Sequence, residues 1–189
     1  MRGLSLPVLI ITAMALVGGA MATAQSSPGR QGAAARGAAP ARSPKVYADL
    51  RQLMRGTLYP ASNVIFAAQD DISKLKVEGD PATSPNPLTS TYGGWQAVEN
   101  AGLAIAETAS LVAVPGRMCS SGRPAPVQRA DWQKYVQGLR DAGMMAYKAA
   151  QSKKQDAMVD AAGAVSDACS ACHDVYREKK GGEKDRCLP

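Results

Sequence analysis

From Ser43 onward, apolar residues recur at steps of three and four, and each run of them breaks at a loop bearing proline or glycine. Steps of that size line up side chains on one face of an α-helix. The first run is Tyr47, Leu50, Met54, Leu58, Ala61, Ile65, Ala68 and Ile72. Ser43 with Pro44 offers it a start, because proline is tolerated in a first helical turn. Pro60 cannot donate to the carbonyl of Gly56 and predicts a kink. The second run, Trp95, Val98, Gly102, Ile105, Ala109 and Val112, is closed by Pro115-Gly116. The third is Trp132, Tyr135, Leu139, Ala142, Ala146 and Ala149. The fourth is Met158, Ala162, Val165, Cys169, Cys172 and Tyr176. A capping-box sequence at Ser152-Lys153-Lys154-Gln155 opens it, and Gly181-Gly182 stops it.

No segment alternates with period two, so no sheet is predicted. Four helices joined by shorter loops predict an all-α domain over 45–182, an antiparallel up-down-up-down four-helix bundle. Its stripes are rich in alanine and glycine. Helices built that way approach closely but fill little volume, and a large apolar cofactor between them would supply the missing burial.

Composition changes the picture mainly at the ends. The first 24 residues, MRGLSLPVLIITAMALVGGAMATA, pair a positive start with an uncharged apolar stretch and small residues before a cleavage point. They read as a signal peptide cut before Gln25, which makes the mature chain exported and periplasmic. An uncleaved anchor is the alternative that the length permits. No cysteine lies near the cut, so a lipoprotein is not expected. Residues 25–44 are Ala, Gly, Pro, Ser, Gln and Arg, with almost nothing to bury, and read as a disordered linker. Residues 183–189 form a short tail, and no membrane span is expected in the mature form. The net charge of +6 belongs partly to the leader and linker. Aromatics are scarce and no basic stripe carries stacking residues, so nucleic-acid binding is not supported.

The chemistry concentrates in DACSACHDVYREKK, residues 167–180, which holds the only histidine of the 189-residue chain. A redox dithiol would want its Cys-x-x-Cys at a helix N-terminus after a strand. Here the pair sits about four turns inside a helical pattern. Structural zinc would want four ligands. Cys169, Cys172 and His173 give three at most, with Cys119 or Cys187 needed to complete the set. Two core cysteines beside a buried histidine is the plain alternative. Cys-x-x-Cys-His is also the attachment signature of c-type haem. On a helix Cys169 and Cys172 lie one turn apart, each able to form a thioether to a vinyl group, while His173 presents a nitrogen to iron. The leader supplies the export this chemistry requires.

At these residues the chain resembles the class II c-type cytochromes, the cytochrome c-prime group, over about Ser43 to Lys180. CSACHDVYREKK is similar to that family's Cys-x-x-Cys-His followed by an aromatic residue and then a basic one, here Tyr176 and Arg177. The resemblance implies one covalent haem c near the end of the last helix. It also implies axial ligation of the iron by His173, with Arg177 and Tyr176 nearby.

In high-spin members the distal side chain, early in the first helix, is apolar, and the iron takes up nitric oxide or carbon monoxide. In low-spin members a methionine there completes His/Met ligation, and the protein carries electrons. Met54 lies on the buried stripe drawn from periodicity. It stands ten residues after Pro44, about 15 Å along a helix, and His173 stands eight before Gly181, about 12 Å. In the expected bundle the two share an end at similar depth. The alternative role for Met54 is that of a flexible core filler. The family often carries Arg-Gln four and three residues before the distal position. Arg51-Gln52 stand three and two before Met54, so the match of Arg51 to a haem propionate is one residue out of register.

Cys119 and Cys187 follow helices two and four, at one end of the expected bundle, and an oxidising compartment predicts a disulfide between them. Arg177, Lys179, Lys180, Lys184 and Arg186 form a basic rim that could steer an acidic redox partner protein or simply complement a helix end. The resemblance also allows a homodimer through the first two helices. No nucleophile–base pair or paired carboxylates flank the haem motif, so the expectation is an electron carrier, not an enzyme.

Overall fold

The structure, a computed structural model, describes residues 44–189. The signal-peptide and linker readings over 1–43 lie outside the described residues. Among the described residues the protein is all-helical, with four long helices and no strand, and no helix is long and apolar enough to cross a membrane.

The first helix, α1, covers 50–67 in three pieces: an α-helical turn Leu50–Leu53, a π-helical turn Met54–Leu58 and α-helical Tyr59–Ala67. It begins later than Ser43-Pro44 because Asp49 caps it. The Asp49 carboxylate accepts from the Gln52 amide at 2.7 Å, and the Gln52 side chain accepts from the Asp49 amide at 2.9 Å. This reciprocal pair satisfies two otherwise orphaned donors. Tyr47 therefore lies before the helix and is 85% exposed. Pro60 perturbs α1 through the turn upstream of it. Tyr59 N–H reaches back five residues to the Met54 carbonyl, a widening that accommodates the donor missing at Pro60. The helix stops at Ala67, and Ile72 belongs to a separate 3-10 turn, Ile72–Lys74, capped by Asp71.

The other three helices follow their stripes: α2 is Trp95–Val112, α3 is Ala130–Ser152 and α4 is Gln155–Tyr176. Ile65, Val98, Ile105, Met158 and Val165 are the largest fully buried side chains and centre the core. Where α2 crosses α3, backbone meets backbone. A Cβ placed at Gly102 would fall 2.7 Å from the Tyr147 nitrogen, and one at Gly143 2.7 Å from the Ala106 nitrogen. The two glycines thus set the closeness of that seam.

The turn between α3 and α4 takes only Lys153 and Lys154, with Lys153 in the left-handed region at φ 54°. The capping box expected from Ser152 and Gln155 does not form. With so short a turn Ser152 is still the last residue of α3, its hydroxyl donating to the Ala149 carbonyl at 2.7 Å. Gln155 instead donates across the fold to the carbonyls of Ala68 and Gln69, at 2.9 and 2.8 Å, closing the end of α1. Helix α4 ends at Tyr176, earlier than Gly181-Gly182 suggested, and Gly182 opens a 3-10 turn, Gly182–Asp185.

The loop after α2 ties the far end together. Buried Arg117 donates to the Leu111 carbonyl at 2.7 Å and to the Ala48 carbonyl at 2.6 Å, and the Leu50 amide donates to Met118 at 2.9 Å. The start of α1 is therefore held on this loop. So is the tail after α4, through the Cys119–Cys187 disulfide, with Cα atoms 6.5 Å apart. Ser121 and Arg123 add hydrogen bonds to the carbonyls of Arg186 and Lys184, each at 3.3 Å.

Candidate functional site

Helix α4 carries the Cys-x-x-Cys-His sequence in its last two turns. Upstream its inner face is fully enclosed, with Met158, Ala161, Ala162 and Val165 at or near zero exposure. Burial then relaxes. Cys169, Cys172 and His173 are each only partly covered, and full burial returns at Tyr176. Both cysteines are free thiols. Met54 is likewise partly buried and packs against the core at the first residue of the π-helical turn.

Helix α1 starts later and α4 ends earlier than expected, so Met54 and His173 lie closer to their helix ends than the sequence spans implied. Met54 lies four residues past the start of α1, and His173 three before the end of α4, both within about 6 Å of their helix ends. Those ends are neighbours, since Arg51 of α1 forms an ion pair with Glu183 of the tail. Helix α1 nevertheless reaches α4 chiefly through Tyr59–Ala67, while the π-helical turn packs on α2. The seam between α1 and α4 is thin where Met54 and the cysteines stand.

The environment argues against a redox dithiol. Burial, then the neighbouring Cys169 thiol and the Asp131 carboxylate, push the Cys172 thiol up to about 11. Burial also raises Cys169, against a smaller opposing pull from Arg177. A dithiol nucleophile needs the opposite shift, and the C-terminal end of a helix cannot supply it. Structural zinc loses its completing ligands because Cys119 and Cys187 are bonded to each other. No group of three or more potential metal-holding side chains is assembled among the described residues. His173 is biased toward the neutral form by burial and then by the Arg177 charge, so a nitrogen lone pair is available.

Tyr176 is braced by residues the sequence reading passed over. Its ring stands edge-on to Trp132, centroids 4.9 Å apart, and to Tyr135 at 6.2 Å. Its hydroxyl donates to the Asp131 carboxylate at 2.8 Å and accepts from Arg129 at 3.0 Å. Arg129 and Asp131 are themselves paired, at 3.0 and 3.1 Å. The first turn of α3 is thus fastened to the last turn of α4, and the cysteines are held just before that joint. The signal in the sequence was Arg129-Ala130-Asp131-Trp132, where an acidic residue in a first helical turn is favoured by the dipole. Arg177 is the C-cap residue just after α4 and pairs with Glu178.

Residues 127–177 match the family model Cytochrome C'. The matched segment runs from just before α3 to the end of α4 and contains Asp131, Trp132, Cys169, Cys172, His173 and Tyr176. No curated protein and no solved structure matches the chain. The Cytochrome C' match supports a c-type cytochrome and implies a haem cofactor.

The residues present fit such a group. The donor set of two free thiols one turn apart and a neutral imidazole suits covalent attachment and iron ligation. Haem also carries carboxylates, and the same end of the fold holds buried donors without an acceptor: the Nε atoms of Arg51 and Arg186 and the indole nitrogen of Trp132. Buried donors left unpaired are costly, and an anionic edge would relieve them.

Proposed function

We propose that the protein is an exported, periplasmic monohaem c-type cytochrome that carries electrons, built as an up-down-up-down four-helix bundle. Cys169 and Cys172 would hold one haem through thioethers, His173 would bind the iron from α4, and Met54 would bind it from α1. Arg177, Tyr176 and Arg51 would surround the group. The observation that carries this reading is the pair of free, half-buried thiols one turn apart beside a half-buried histidine on α4, within the Cytochrome C' match. The bundle course is supported by the end contacts: α1 start with α2 end, α3 start with α4 end, and α1 end with α4 start.

Bound haem supplies one-electron exchange between ferric and ferrous iron. The protein residues set where that happens. Burial biases His173 toward the neutral form, thioether links at Cys169 and Cys172 would fix where the haem sits, and the Tyr176–Asp131–Arg129 joint holds the last turn of α4 in place. A methionine sulfur opposite histidine raises the potential and favours the ferrous state.

The absorption spectrum of the matured protein tests the ligand set. His/Met ligation predicts low-spin bands that carbon monoxide leaves in place, and Met54→Ala converts them to a high-spin, carbon monoxide-responsive spectrum. A native protein that is already high-spin and binds nitric oxide or carbon monoxide would replace the carrier reading with a gas-binding one.

A further inference from the structure

The tail beyond α4 is short, yet five separate interactions fix it. The disulfide anchors Cys187, the Cys187 amide donates to the Tyr176 carbonyl at 2.8 Å, and Ser121 and Arg123 donate to the carbonyls of Arg186 and Lys184 just before it. Glu183 pairs with Arg51. Arg186 sits in the middle of this fastened stretch. It has no ion pair among the described residues, and its Nε is buried without a partner. An arginine held rigidly, partly desolvated and lacking an acceptor is suited to a carboxylate, which takes its planar donors in pairs.

Resting on the haem reading above, we propose that Arg186 is the principal residue binding a haem carboxylate, positioned by the Cys119–Cys187 tether. Arg51, the residue a family comparison would choose, also has a buried Nε without an acceptor, but it already pairs with the Glu183 carboxylate, whereas Arg186 has no ion pair among the described residues. The tail then has a purpose beyond closing the fold. It delivers a cation to the anionic edge of the haem from the same end as His173, and that cation offsets carboxylate charge that would otherwise favour ferric iron.

The test uses the matured holoprotein, with intact mass first reporting whether haem is attached. Arg186→Gln is expected to keep its haem and to lower the midpoint potential by about 59 mV, a tenfold change in the one-electron equilibrium. Arg186→Lys is expected to recover most of that loss, and Arg51→Gln to shift the potential less. The double variant Cys119→Ala/Cys187→Ala, which frees the tail, is expected to move the potential in the same direction as Arg186→Gln, and it decides the matter if Arg186→Gln does not accumulate. Attached haem with an unchanged potential in Arg186→Gln, or a larger shift in Arg51→Gln, overturns the proposal while leaving the cytochrome reading intact. Native protein without haem overturns both.

Discussion

The seam between α2 and α3 and the seam between α1 and α4 are closed in different ways. At the first, Gly102 and Gly143 bring backbones so near that one added carbon would meet a main-chain nitrogen at 2.7 Å. Nothing further fits there. At the second, the π-helical turn of α1 leans on α2, the cysteines of α4 are half covered, and the Nε atoms of Arg51 and Arg186 nearby have no acceptor. One seam is completed by the polypeptide alone, and the other has the character of a site that a second group completes.

The largest effect should come from preventing that completion. In Cys169→Ser/Cys172→Ser, amide exchange in the first turns of α1 should quicken by roughly 100-fold relative to the matured protein, about 3 kcal/mol of local opening. Amides along the α2–α3 seam should change far less. Equal loss of protection in both places, by hydrogen-exchange mass spectrometry, would erase the distinction. Next, Gly143→Ala should destabilise the protein by about 1–3 kcal/mol in denaturant melts, because the clash is with backbone that no rotamer can move. Gly138→Ala and Gly163→Ala, which meet nothing within 4 Å, should instead gain about 0.5–1 kcal/mol from helix preference.

The smallest effect concerns the joint beside the open seam. Hydrogen bonds from Arg129 and then Tyr176 hold the Asp131 carboxyl down to about 2. A depressed folded-state value means that the unfolded chain binds the proton first. The stabilisation is therefore present above about pH 4, the ordinary carboxylate range, and lost as pH falls from there through about 2. Urea midpoints of the native protein and Asp131→Asn should differ modestly at pH 6 and converge toward pH 2. A constant difference across that range would remove Asp131 from the joint.

Much of this contrast was legible in the sequence, for reasons the residues make plain. Helices α2, α3 and α4 carry long stripes, so their inner faces were read position by position, although Gly181-Gly182 overshot the end of α4 at Tyr176. The start of α1 was misread because Tyr47 falls in step with the stripe by coincidence. Asp49-Leu50-Arg51-Gln52 carried the real cap signal. Ser152 and Gln155 were misread because a two-residue turn makes one helix absorb the cap of the next. The Cys-x-x-Cys-His motif was visible because it is written in five consecutive residues. Arg117 under the start of α1, the Asp131–Tyr176 joint and the unpaired Arg186 were not. They depend on which distant segments meet, and no local spacing records that.

Intact-mass measurement of protein exported from a host that matures c-type cytochromes tests the central claim most directly. The account predicts a single species heavier than the processed chain by one haem, reduced to the bare chain in Cys169→Ser/Cys172→Ser. Native material at the mass of the bare polypeptide would contradict it.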